Sequence, residues 1–168
     1  RRVEFRPIPF RKANTMTTLS NADRLDWLQL IRTENVGPVT FSRLMSRYGS
    51  ARAAIDALPG AASNAGRKLP LKPAGRAEAE RELERAEKSG ARLIASCESD
   101  FPAMLAEIPG APPLIYLRGH AHLFAKPAVA IIGARNASGI GRKMARMLSE
   151  QLGANGFVVV SGLARGID

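Results

Sequence analysis

The chain has 168 residues, 45% of them hydrophobic, and a net charge of +10 from 25 Lys and Arg against 15 Asp and Glu. The apolar fraction excludes a disordered or fibrous protein, and the length fits one domain or two small ones. No apolar run approaches the ~20 residues that a membrane span needs. The single cysteine, Cys97, excludes an intramolecular disulfide and agrees with a reducing, cytoplasmic location. The basic balance favours a polyanionic partner, nucleic acid before a membrane surface, although a basic surface without a partner is the alternative.

The first predicted element is a flexible basic tail over residues 1–18, which hold five Lys and Arg against one Glu without periodicity. Two alternatives are a true start at Met16 and a half-buried extended segment that uses Phe5, Ile8 and Phe10. At the other end, Asp168 directly follows a predicted strand and a glycine turn. Because a parallel sheet needs several strands and helices on both faces, we expect this chain to be the front part of a longer protein.

A small helical domain with its linker is predicted over residues 19–75. Ser20 is suited to cap a first helix, a turn at 35–38 precedes a second, and a third is predicted at Ala51–Leu58 before an irregular stretch from residue 59. The second helix carries one apolar stripe, which predicts a packed core rather than a site: Phe41, Leu44, Met45 and Tyr48.

An α/β region is predicted over residues 76–168. A solvated helix at 76–89 precedes strands at 92–95 and 114–117, with a short helix at 103–107 between them. The strongest segment is a strand–helix–strand unit: a buried strand at Ala128–Ile132, a helix at 139–153 and a strand at Phe157–Val160. The helix repeats an apolar residue every four positions: Ile140, Met144, Leu148 and Leu152.

The first of two glycine motifs lies between the strand at 128–132 and the following helix. Gly133 permits a sharp turn, Ser138 is placed as a helix N-cap, and Gly139 opens the helix. The N–H groups of a first helical turn attract anions, and the guanidinium of Arg135 suits phosphate oxygens. The motif therefore predicts a phosphate site at the carboxyl end of a strand.

The second glycine motif follows the next strand and contains Ser161, Gly162, Arg165 and Gly166. Since adjacent parallel strands end side by side, we expect this loop to face the first. The two glycines allow close backbone approach, and Arg165 adds positive charge to the same cleft. The alternative is an arginine that only caps strand ends.

Neither glycine motif predicts a nicotinamide cofactor. The Rossmann pattern G-x-G-x-x-G fails at Ala134 and Arg135, and no acidic residue for a ribose follows the second strand. The motifs also hold no evident nucleophile or metal ligand, and His120 and His122 are expected on the surface. One alternative stays open: a nucleotide- or phosphate-binding enzyme that uses Asp168.

These motifs carry a resemblance to the DNA-processing protein A family, also called Smf. The matching stretches are Gly133-Ala134-Arg135 (with Ala where the family has Ser), Ser138–Gly141, Ser161–Asp168, and the run from Asp100-Phe101-Pro102 to Gly119. The resemblance implies a Rossmann-like, mostly parallel sheet behind a small helical domain. It also implies a non-enzymatic, cytoplasmic protein that binds single-stranded DNA, protects incoming DNA, loads the RecA recombinase in natural transformation and forms a homodimer. The arginine with which the family contacts DNA carries over to Arg135, so the resemblance implies this role for Arg135. An interaction module that holds a recombinase without touching DNA stays open as an alternative.

The first two helices carry a weaker resemblance of their own. The turn Val36-Gly37-Pro38 resembles that of helix-hairpin-helix or sterile-alpha-motif-like modules, where backbone N–H groups hold a phosphate of duplex DNA. Asn35 stands where a glycine is expected, and a role in packing alone is equally compatible with the residues.

Overall fold

The structure is a computed structural model that describes residues 18–61 and 72–168. The described residues form two compact units, one that ends at Gly119 and one that runs from His120 to Asp168. Residues 1–17 of the tail predicted at 1–18 and residues 62–71 of the predicted irregular stretch lie outside the described residues. The sequence-derived border between residues 75 and 76 stays a prediction. Among the described helices, none is long and apolar enough to cross a membrane.

The first unit begins with four helices. Their bounds are α1 Asn21–Arg32, α2 Pro38–Tyr48, α3 Ala51–Ala61 and α4 Arg76–Lys88. Ser20 caps α1 as predicted: its Oγ accepts from the N–H of Asp23, whose carboxylate in turn accepts from the Ser20 backbone. Gly49, with φ +77°, ends α2 in the left-handed conformation that glycine favours.

The predicted end of α3 at Leu58 is wrong by three residues. The helix continues through Pro59 to Ala61. A proline lacks one backbone donor, but the residues after it can still donate to carbonyl groups one turn back. A proline in the last turn of a helix therefore costs one hydrogen bond without ending the helix at once.

The core of the helical part is built around α1, α2 and α3. Phe41 is buried, and Leu44, Met45 and Tyr48 pack against the same cluster, so the predicted apolar stripe of α2 is confirmed as core. Trp27 meets Phe41 edge to face, with ring centroids 4.9 Å apart.

Two antiparallel strands complete the first unit. They are β1, Ala91–Ala95, and β2, Leu114–Arg118, with Leu93 opposite Tyr116, and the short helix α5 at Ala103–Ala106 lies between them in sequence. Glu98, just after β1, accepts hydrogen bonds from the backbone N–H groups of Leu19 and Ala95 and forms a two-pronged ion pair with Arg24. This ion pair connects α1 to the end of β1.

The second unit contains the predicted strand–helix–strand arrangement. A short 3-10 helix at Ala121–Ala125 leads into β3, Ala128–Ala130, then α6, Gly139–Ala154, and β4, Val158–Val160. The two strands are parallel, with Val129 opposite Val159. A helical domain followed by an α/β region with small sheets confirms the predicted fold class.

The predicted burial of the first strand of this unit is wrong. The strand ends at Ala130 rather than Ile132, Val129 and Ile131 are only half-buried, and Ile132 is 78% exposed. A strand is buried on both faces only when helices cover both sides of its sheet. Among residues 120–168, α6 is the one long helix, and it can cover a single face.

The apolar repeat of α6 does not define its buried side. Ile140 is 82% exposed, and Met144 and Leu148 are also exposed. The half-buried positions are instead Gly141, Ala145, Ser149 and Leu152. Three of these four residues are small, which allows a close approach of helix and strand.

Candidate functional site

The two glycine loops meet at the carboxyl ends of β3 and β4, as predicted from the parallel arrangement. The N–H of Gly133 donates to Oδ1 of Asp168 at 3.0 Å, and the N–H of Ile167 donates to the carbonyl of Ala134 at 3.3 Å. The segment 131–138 and the segment 161–168 are therefore connected directly by hydrogen bonds.

Two glycines allow this contact because a side chain at either position would overlap with the opposite loop. A Cβ at Gly133 would lie 2.6 Å from side-chain atoms of Ile167. A Cβ at Gly166 would collide with the carbonyl oxygen of Ala134 and lie 2.6 Å from that of Arg135. Gly166 also has φ +115°, a conformation that residues with a side chain rarely adopt.

The N-terminus of α6 lies at the end of the first loop. Ser138 caps it as predicted, and its Oγ accepts from the N–H of Gly141 at 3.1 Å. Gly139 is the first residue of the helix, so its N–H belongs to the group that lacks an intrahelical acceptor. Since both Ser138 and Gly139 are exposed, an anion can approach this turn from solvent.

Ser161 and Gly162 have an observed structural role within the second loop. The Ser161 hydroxyl donates to the backbone carbonyl of Asp168 at 2.9 Å, and a Cβ at Gly162 would lie 3.2 Å from Oδ2 of that residue. The Ser161 hydrogen bond thus helps to hold Asp168 against Gly133, and the lack of a side chain at Gly162 leaves room for the Asp168 carboxylate. The contact of Ser161 and Gly162 with phosphate stays a prediction.

The two predicted arginines, Arg135 and Arg165, are exposed, one on each loop. Within residues 120–168, no carboxylate forms an ion pair with either of them. The two guanidinium groups therefore keep their charge available for an external anion.

Sequence reasoning did not single out Arg142, which lies one turn into α6. Its guanidinium donates to the carbonyl of Ala137 at 3.0 Å and so extends back toward the first loop. The sequence could have indicated this contact, because Arg142 lies four residues after the Ser138 cap and the side chains of a helix lean toward its N-terminus.

The geometry of Asp168 bears on the enzymatic alternative. Its carboxylate accepts the hydrogen bond from Gly133, and its own backbone carbonyl accepts from Ser161, so this residue connects the loops.

His120 and His122 lie beside each other, exposed, with ring centroids 5.4 Å apart. In the part of the chain that the structure describes, no three His, Cys, Asp or Glu residues cluster as a metal site.

The turn between α1 and α2 is left-handed at the position where the hairpin resemblance expects a glycine. Asn35 has φ +63° and so adopts the left-handed conformation expected of the missing glycine. Asparagine tolerates this region better than most residues, so the substitution does not prevent the turn. The N–H of Phe41 donates to the carbonyl of Gly37 at 2.8 Å and closes the first turn of α2.

Fold and site together define a class of protein: a helical domain followed by an α/β region whose two glycine loops meet beside the capped N-terminus of a helix. Comparison with known families agrees. A family described as "DprA-like N-terminal HHH domain" matches residues 21–85, and one described as "DNA recombination-mediator protein A" matches residues 92–168.

Individual relatives support the same assignment. Protein Smf of Synechocystis sp. is 31% identical over 160 residues, which are 89% of this chain and 40% of that protein. The DNA processing protein DprA of Streptococcus pneumoniae is 41% identical over 68 residues, 40% of this chain and 24% of that protein. The chain thus spans less than half the length of these relatives. The chain belongs to the DNA-processing protein A family, also called Smf.

Proposed function

We propose that this chain takes part in DNA processing during recombination and that its glycine loops bind the phosphate backbone of single-stranded DNA. One observation carries the proposal: the hydrogen-bonded loops hold the exposed Arg135 in the segment that ends at the capped N-terminus of α6. Backbone donors and a planar cation at the end of a strand suit a phosphate group. Such backbone donors and cations do not recognise the bases, so binding is expected on any DNA sequence.

The charge distribution supports this location. Residues 120–168 hold six Lys and Arg against two Asp and Glu, whereas residues 18–61 and 72–119 together hold twelve of each. The net charge of the described residues therefore comes from the unit that contains the glycine loops. A local excess of positive charge attracts polyanions and makes their binding salt-dependent.

The test is the affinity of the full-length protein for a labelled oligonucleotide across a salt series. Arg135→Ala should weaken binding equally on different sequences and reduce the salt slope by up to ~0.7 for one lost phosphate contact on a single strand. Arg135→Glu should weaken it further, because repulsion adds to the lost contact. Arg118→Ala is the matched control, since Arg118 is also an exposed arginine at the end of a strand but lies in the first unit.

Circular dichroism of each variant checks that folding is retained. Wild-type affinity of Arg135→Glu at every salt concentration would show that DNA binds elsewhere on the protein. The basic segment at residues 1–12 would then be the next candidate.

Membership of the family motivates the more specific parts of the proposal. We infer a non-enzymatic protein without a bound cofactor that protects incoming DNA, loads the RecA recombinase onto it and acts as a homodimer in the cytoplasm. The use of Asp168 in the contact between the loops favours this over a hydrolase, because Oδ1 of that carboxylate already accepts from Gly133.

A further inference from the structure

The exposed face of α6 carries a row of positive charge that the family motifs do not include. Arg142, Lys143 and Arg146 are all exposed, and they fall within one 100° sector of the helix. None of them forms an ion pair with a carboxylate of residues 120–168. We call these three residues the α6 ridge.

The α6 ridge is distinct from the other faces of the helix. The half-buried side contains Gly141, Ala145 and Ser149, and the exposed apolar side contains Ile140 and Met144. The ridge therefore has no part in the packing of α6 within its own unit. Its charge is free to act on a ligand.

The ridge also opposes the helix dipole. Stable helices concentrate acidic residues in the first turn and basic residues in the last, as α1 does with Asp23 and Arg32. α6 has no acidic residue in its first turn and no basic residue in its last, and its positive charges all lie in its first half. This arrangement is unfavourable for the helix alone and becomes favourable when an anion lies along its N-terminal half.

The position of Arg142 connects the ridge to the glycine loops. Its hydrogen bond to the Ala137 carbonyl places the guanidinium next to the Ser138 cap. Arg146 lies one turn further on, about 6 Å along the helix axis at 1.5 Å per residue. A chain of phosphates that begins at the loops would meet the two arginines in succession.

We propose that the α6 ridge continues the DNA-binding surface, so that a single strand runs from the glycine loops along α6. This inference rests on the proposed function and adds a direction for the bound strand. It also assigns backbone contacts to Arg142, Lys143 and Arg146.

The test compares two double variants of the full-length protein on oligo-deoxythymidines of increasing length. Arg142→Ala/Arg146→Ala removes two charges from the ridge. The matched control is Arg81→Ala/Arg85→Ala, which removes two exposed arginines at the same spacing from α4 in the first unit. Arg135→Ala is measured in parallel to report on the loops.

The ridge variant should bind long oligonucleotides on the order of tenfold more weakly than the control and lower the salt slope by up to ~1.4. Its loss should shrink on the shortest oligonucleotide that still binds, whereas the loss from Arg135→Ala should persist at every length. If the ridge variant equals the control while Arg135→Ala weakens binding, the ridge proposal is wrong and the proposed function stands. If the wild type binds no oligonucleotide, both are wrong. If the ridge variant binds more weakly but also loses helical circular dichroism, Arg142→Gln/Arg146→Gln is measured instead. This second variant must keep the helical signal and show the same loss of affinity; otherwise the ridge proposal is wrong.

Discussion

Replacement of Gly166 by alanine tests whether the contact between the two loops determines both stability and binding. The new Cβ would meet the carbonyl oxygen of Arg135 at 2.6 Å and its Cα at 2.7 Å. Ordinary contacts between carbon and carbonyl oxygen begin near ~3.3 Å, so the backbone at 134–135 must retreat by roughly 0.7 Å or more. The φ of +115° adds strain of about 1–3 kcal/mol for a residue with a side chain.

The expected loss in the free energy of unfolding is about 2–4 kcal/mol for Gly166→Ala, measured by urea denaturation. Oligonucleotide affinity should fall as well, because the displaced backbone carries Arg135. Gly153→Ala is the control: beyond its chain neighbours and the nearby helix backbone, no atom lies within 4 Å of its added Cβ. Because alanine also has a higher helix propensity than glycine at this penultimate position of α6, stability should not fall. Wild-type stability and affinity for Gly166→Ala would refute the argument that close packing of the loops positions the arginine.

Two further predictions concern carboxylates of the first unit and the groups that donate hydrogen bonds to them. Burial raises the pKa of Glu98, but its hydrogen bonds, chiefly from Arg24, outweigh this and leave the pKa below its ordinary value. Glu98→Gln should therefore cost about 2 kcal/mol at neutral pH, and the difference from wild type should vanish as pH falls through the folded pKa. A difference in urea denaturation that stays constant from neutral pH down to the onset of acid unfolding would contradict it. Burial and the hydrogen bond to Glu82 raise the pKa of Tyr116. Its ultraviolet titration, obtained as the difference between wild type and Tyr116→Phe, should therefore have its midpoint above the ordinary value near ~10. A midpoint at that value would disprove the contact.

Local signals in the sequence were sufficient where the structure depends on neighbouring residues. The Ser20 and Ser138 caps formed as predicted, because a cap needs only a hydroxyl and the N–H groups of the next turn. The meeting of the two glycine loops was also predictable, since parallel strands in sequence order bring their carboxyl ends together.

The burial of residues in the second unit was less predictable. It depends on whether helices cover one or both faces of the sheet, and the hydrophobic pattern of a strand does not show this. The aliphatic run at 128–132 is compatible with a strand whose sheet is covered by helices on one face or on both faces. In the structure, the side of α6 with small residues is half-buried, and the larger Ile140 is exposed. The role of Asp168 as the connection between the loops was missed for a similar reason. The motif shows that a carboxylate is present, but not that it lies within hydrogen-bonding distance of the Gly133 N–H.

The pairing of charges explains why the two units should respond differently to salt. In the first unit, carboxylates neutralise several arginines in specific contacts, such as the bond of Arg76 to Asp26 at 2.6 Å and the ion pair of Arg24 with Glu98. Part-buried pairs of this kind are weakly screened and stabilise the fold. Arg135 and the α6 ridge have no such partners within residues 120–168, so their energy depends on the ions around them. Added salt should therefore weaken polyanion binding through the second unit at concentrations that leave the ion pairs of the first unit largely intact.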